Sequence, residues 1–175
     1  MGGWAIDLFV GRQTRDHADL EIALPRPHFS RVREVLAGFA FYVVDNGAVR
    51  LLDDGALPPD HTHQNWVLDT EAGAWRVDVM LEPGDDDTWV FRRDERVQAP
   101  RSSMTGYRDS VPYLKPQGSV LYKAKRSRPK DEADLLACLP LMDETARAWL
   151  ASALERAHPA HPWLAQLARL ASERG

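Results

Sequence analysis

The chain has 175 residues, 44% of them hydrophobic and 27% charged, with a net charge of −4 and one cysteine, Cys138. This is material for one packed domain with a helical annex, and the acidic balance argues against broad nucleic-acid binding. A lone cysteine excludes an intramolecular disulfide, and no secretory pattern or membrane-length apolar run is present, so a cytoplasmic location is expected.

Trp4 to Val10 carries apolar residues at 4, 5, 8 and 9, a helical spacing closed by Gly11. Leu20, Ile22 and Leu24 then alternate with Asp19, Glu21 and Ala23, which is the period of a strand with two unlike faces. Pro27 opens a helix through Val32, Val35 and Leu36 that stops near Gly38. Strand-like runs follow at 40–45, 48–52, 65–70, 74–81 and 88–92, and the turn Glu71-Ala72-Gly73 joins two of them as a hairpin. After Pro116 the pattern becomes helical, with a helix through Val120, Leu121 and Ala124, a basic loop KRSRPK, and a helix starting near Asp131. Two amphipathic helices fit 143–157 and 161–173, separated by Pro159 and Pro162. The expected architecture is α+β: a mixed sheet with helices over residues 1–115, then a helical portion over 116–175.

Three carboxylates sit where strands are expected. Residues two apart on a strand share a face, so Asp19 and Glu21 stand side by side. Like charges at that spacing repel unless a cation lies between them, and hard oxygen ligands of this kind suit Mg²⁺. A simply solvated face is the alternative. In AWRVDVMLEP, Val77, Val79 and Leu81 form one face and Arg76, Asp78 and Met80 the other, which places an aspartate mid-strand, where aspartate is depleted. Asp78 either pairs outward with Arg76 or joins Asp19 and Glu21 in a two-metal clamp of the kind that stabilises in-line displacement.

A glycine-pair turn followed by a helix, a D-x-E strand and a later strand aspartate together resemble the nucleotidyltransferase superfamily with the polymerase-β-like fold. More narrowly, GGWAIDLFVGRQTRDHADLEIAL is similar to the aminoglycoside 2″-adenylyltransferase and lincosamide nucleotidyltransferase branch. The similarity continues through WRVDVMLEP, TWVFRRDERV, VPYLKPQGSVLYKAKRSRPKDEADL and HPWL. The resemblance implies that backbone N–H groups of Gly2 and Gly3 approach phosphates, and that Asp19, Glu21 and Asp78 are metal ligands. Asp78 is also the candidate catalytic base. A triphosphate-contacting lysine is implied at Lys123 or Lys125; residues two apart do not share a helix face, which favours Lys123 alone. Arg15 and His17 are expected to contact phosphate or to cap their loop.

The implied reaction is Mg²⁺-dependent transfer of AMP from ATP to a hydroxyl of a small molecule, with an aminoglycoside-like antibiotic as the candidate acceptor. The acidic balance fits a cationic acceptor. Its expected walls are Asp53-Asp54, Asp85-Asp86-Asp87, Tyr107 and Tyr113. His61 and His63 offer too few ligands for zinc, and Trp66, Trp75, Trp89, Trp149 and Trp163 are expected in the core or along a groove. Family members carry a helix and a strand before the glycine pair, whereas this sequence starts at Met1-Gly2-Gly3. An open sheet edge beside strand 19–24 is therefore expected, with a homo-oligomer as its natural consequence. Two rivals stand beside this reading: a remnant that binds nucleotide without turnover, and a nucleotidyltransferase acting on a protein or tRNA.

Overall fold

A computed structural model of the chain describes residues 1–172. The order is α1 (Gly2–Val10), β1 (Leu20–Pro25), a 3₁₀ turn, α2 (Phe29–Val35), β2 (Ala40–Asp45), β3 (Ala48–Leu51), β4 (Gln64–Asp69) and β5 (Ala74–Glu82). It continues through β6 (Thr88–Val90), β7 (Gln98–Pro100), α3 (Arg101–Met104), β8 (Thr105–Arg108) and β9 (Val111–Leu114). The helices α4 (Pro116–Ala124), α5 (Pro129–Cys138), α6 (Glu144–Ala157) and α7 (Trp163–Ser172) complete it. The expected end of the last helix at Glu173 lies outside the described residues.

The main sheet has the order β1-β5-β4-β2-β3, with β1 parallel to β5 and the remaining pairs antiparallel. Alternation along β1 and β5 sends Ile22, Leu24, Val77, Val79 and Leu81 to one face, where they pack with Phe29 of α2, Phe41 and Val67. β1 is an edge strand whose one ladder partner among the described residues is β5. A second core gathers Ile6 of α1 with Trp89, Phe91, Met104, Leu121, Leu150 and Trp163. Thus α1 and the 89–104 segment pack with the C-terminal helices, and the two cores cut across a division of the chain at residue 115.

Local chemistry sets the helix ends. Pro116 and Pro129 occupy the first turns of α4 and α5, where a missing N–H costs nothing. Asp143 caps α6 by accepting from the Ala146 N–H at 2.7 Å. Gly11 ends α1 in the left-handed region at φ 88°, donating to the Asp7 carbonyl at 2.7 Å. Arg108, in the β8–β9 hairpin, donates to the carbonyls of Leu8 and Phe9 at the same helix end. No described helix is long and apolar enough to cross a membrane.

One register irregularity matters for the site. Val67 pairs with Val77, but the next residue, Leu68, pairs with Trp75, so Arg76 is an extra residue in β5. Strict alternation would send Trp75 to the Val77 face. The bulge instead turns it to the opposite face, where its ring meets Trp66 at 5.5 Å and Tyr42 at 5.1 Å between centroids.

Candidate active site

The ladder places the carboxylates. Parallel pairing of β1 with β5 puts Glu21 opposite Asp78, and antiparallel pairing puts Trp66 opposite Asp78 and Tyr42 opposite Trp66. A row Glu21–Asp78–Trp66–Tyr42 therefore crosses the sheet on the face away from α2. Asp19 lies one residue ahead of β1, and all three carboxylates line one cleft of about 820 Å³. Arg76 turns to Asp69 at 3.3 Å, so the alternative of an outward Asp78–Arg76 pair is not what the fold adopts.

Asp78 is 6% exposed. Its Oδ2 accepts from Gln64 Nε2 at 2.6 Å, while Oδ1 is buried without a hydrogen-bond partner among the described residues. Burial pushes its carboxyl up to about 6, with the hydrogen bond from Gln64 opposing the effect and the charges of Glu21 and Asp19 adding to it. Among the described residues no three His, Cys, Asp or Glu groups are already gathered into a chelating cluster. The donor set nonetheless fits a divalent cation. It consists of hard carboxylate oxygens, one of them buried and unpaired, on cross-strand neighbours whose like charges hold them apart.

Beside these carboxylates stands the first turn of α1, whose leading N–H groups have no partner within the helix. Gly2 and Gly3 were expected as a turn ahead of a helix at Trp4; they are instead the first residues of α1, and both line the cleft. A Cβ on Gly2, where φ is +67°, would collide with the Glu21 carboxylate, and one on Gly3 with the His17 ring and Arg15. The glycines thus let the helix terminus approach the acidic pair. The 11–19 loop is tied to α1 by Asp7, which accepts from the Thr14 hydroxyl and N–H and bonds His17 at 2.5 Å. Burial pushes the Asp7 carboxyl up, but hydrogen bonds from Thr14 and His17 outweigh it and hold the group below its ordinary value. His17 also packs on Trp4, with centroids 4.7 Å apart. It fastens the loop that carries Asp19.

The opposite rim is cationic. Two aspartates one turn apart on α5, Asp131 and Asp134, are 0% and 1% exposed and organise three cations. Arg15 forks onto Asp134 with both bonds at 3.0 Å, Lys123 reaches Asp134 at 2.8 Å and Asp131 at 3.7 Å, and Arg128 meets Asp131 at 2.8 Å. The expectation that only Lys123 reaches the site is corrected: Lys123 and Lys125 both line the cleft, because α4 ends at Ala124 and the cleft wraps around that end. Lys123 is held in ion pairs, whereas Lys125 has no ion-pair partner among the described residues.

Residues that sequence reasoning left without a role complete this rim. Arg126, Arg128 and Lys130 of the KRSRPK loop line the cleft, as do Arg92 and Arg93. Among the described residues, nine Lys or Arg side chains face four carboxylates in the cleft, so its balance is opposite to that of the whole chain. The expected acceptor walls Asp53, Asp54, Asp85–Asp87, Tyr107 and Tyr113 do not line it: Asp54 pairs with Arg33, Asp86 with His28, and Asp85 accepts from the Asp87 and Thr88 N–H groups of its own loop. His61 and His63 part company, the first pairing with Asp45 and the second lining the cleft. Trp89 and Trp163 are buried, Trp149 packs on Trp89, and Trp66 and Trp75 line the groove.

With this geometry established, likeness to known proteins is specific. Residues 1–54 match the family model of aminoglycoside-2″-adenylyltransferase. Over that segment the chain is similar to the aminoglycoside adenylyltransferases. The matched segment contains the α1 terminus, Asp19 and Glu21. The solution structure of the antibiotic-resistance factor ANT(2″)-Ia aligns with a TM-score of 0.50 and 19% identity, over 89% of this chain and 80% of that one. The crystal structure of ANT(2″)-Ia in complex with adenylyl-2″-tobramycin aligns with a TM-score of 0.53 and 20% identity, over 89% and 85%. The mixed α+β fold is that of these nucleotidyltransferases. No curated protein matches the chain in sequence.

Proposed function

We propose that the chain transfers AMP from ATP to a hydroxyl of a small, aminoglycoside-like acceptor, with Mg²⁺ as cofactor. The observation that carries this reading is the cross-strand pair Glu21–Asp78, joined by Asp19 in one cleft between the open first turn of α1 and the cationic rim.

Asp19, Glu21 and Asp78 would hold the metal, which supplies charge neutralisation at the phosphate oxygens when bound. The rim does the binding. Lys125, Arg126 and Lys130 are available for phosphate, while Lys123 and Arg15 present a fixed positive surface held by Asp131 and Asp134. The first N–H groups of α1 add a partial positive charge that favours anions. These groups select the triphosphate and stabilise pyrophosphate as it departs.

Asp78 supplies the base. Where it is not taken up as a metal ligand, a carboxyl that burial raises to about 6 is ionised at neutral pH yet basic enough to accept the proton of an attacking hydroxyl. The acceptor oxygen forms a bond to the α-phosphorus as the bond to the pyrophosphate oxygen breaks, and the hydroxyl proton passes to Asp78. Gln64 fixes the carboxylate's orientation through Oδ2.

The test is incubation with ATP, Mg²⁺ and a panel of aminoglycosides, lincosamides and neutral nucleosides, followed by mass spectrometry for an added AMP. Adenylylation of an aminoglycoside that is lost in Asp78→Asn supports the reading. Nucleotide binding without any AMP transfer across the panel refutes it.

A further inference from the structure

The row that carries Asp78 continues past it into rings. Trp66 is its direct cross-strand partner and Tyr42 is the partner of Trp66, while the bulge at Arg76 brings Trp75 edge-on against both. Trp75 is 49% exposed. A strand tryptophan turned out of the core by a bulge, and left half-open in a cleft, is not explained by packing.

The position of these rings fits the reaction's geometry. The groups proposed to bind phosphate lie on α1, which packs on β1, and on α4 and the loop to α5, whose helices pack on α1. β4 and β2 lie on the other side of Asp78 in the strand order. In-line displacement requires the nucleophile to enter opposite the departing pyrophosphate. An acceptor approaching Asp78 from that side passes over Trp75 and Trp66.

We infer that Trp75 and Trp66, backed by Tyr42, form the acceptor subsite and select a ring-bearing polyhydroxylated amine. Indole faces attract ammonium groups and cover the C–H faces of saturated rings, which is the chemistry of an amino sugar. The Arg76 guanidinium, the one cation next to the wall on its own strand, is drawn to Asp69, while Asp78, Glu21 and Asp19 supply negative charge at the wall's inner end. This assignment rests on the proposed AMP transfer, and it explains how a cleft with a cationic rim accommodates a cationic acceptor. The two charges occupy opposite sides of the carboxylates.

Calorimetric titration tests it, using tobramycin and, separately, a non-hydrolysable ATP analogue with Mg²⁺. Trp75→Ala should weaken tobramycin binding about tenfold, the size of a well-formed cation–π contact, and leave the ATP analogue within about twofold by the same comparison. Trp75→Phe should retain most of the affinity, and circular dichroism should report an unchanged fold for this half-exposed position. Loss of affinity for the ATP analogue instead would make the wall a base platform and overturn the inference. So would equal tobramycin binding by wild type and Trp75→Ala, or no tobramycin binding by the wild type. Wall-dependent tobramycin binding without AMP transfer would uphold the subsite while refuting the proposed reaction.

Discussion

Replacing Asp78 with asparagine should stabilise the protein above neutral pH while abolishing transfer. The carboxyl is raised from 3.8 to about 6, chiefly by burial. The folded state therefore binds this proton more tightly than the unfolded state, so the wild type loses stability as pH rises from about 4 to about 6. At about 1.4 kcal/mol per unit, the shift costs the ionised protein about 3 kcal/mol. Asparagine removes that cost: its oxygen can still accept from Gln64, and its NH₂ would replace the unpaired Oδ1 near Glu21 and Asp19. Urea titrations should show the variant and wild type alike near pH 4 and separated by about 3 kcal/mol at pH 8, or about 6–12 °C in Tm for a chain of this size. Comparison at matched pH cancels the other titrating groups. Mg²⁺ should raise wild-type stability at pH 8 and narrow the gap. An Asp78→Asn variant that is no more stable at pH 8, or an offset independent of pH, would refute the assignment of a strained, site-facing carboxylate.

The two lysines should separate cleanly. Lys123→Ala leaves Asp131 and Asp134 buried with one cation fewer and should cost about 2–4 kcal/mol in denaturant titrations, whereas Lys125→Ala should leave stability unchanged and raise the KM for ATP about tenfold, the loss of one charge-assisted contact. Gly3→Ala should displace His17 and Arg15, with transfer activity falling about 100-fold or more and the far-UV spectrum unchanged. Light scattering should detect concentration-dependent self-association through the open β1 edge, and a charged residue at the half-exposed Leu20 should suppress it.

The carboxylate side of the site was partly legible because strand alternation is short-range: Asp19 and Glu21 share a face by period alone, Asp78 was joined to them only through the resemblance, and all three line one cleft. The aromatic wall was not legible, since the bulge that turns Trp75 depends on how β4 and the hairpin close, which no local period records. The sequence alone accordingly left Trp75 open between the core and a groove. The Lys123–Lys125 rule failed because it holds along a helix, and α4 ends between them. β7, β8 and β9 are three or four residues long and interrupted by Pro100, Gly106 and Pro112, too short to show a period. The buried pair Asp131 and Asp134 left one trace, a three-residue spacing after a proline, but a helix face of that kind is usually solvated. Its role emerges only when Arg15 arrives from 119 residues away.

The bulge at Arg76 makes the two halves of the cleft independently variable. From Val77 to Met80 the β4–β5 ladder is regular, so the register of Asp78 against Gln64, Trp66 and Glu21 is set on one side of the irregularity. Trp75, Ala74 and the turn behind them lie on the other. Pairing Leu68 with Arg76 instead, which would close the bulge, would turn Trp75 to the Val77 face without moving Asp78 in its row. A change in the hairpin that closes the bulge would thus exchange the surface offered to acceptors while the carboxylates kept their register. Such a hairpin is a place where substrate range can drift at little risk to the chemistry.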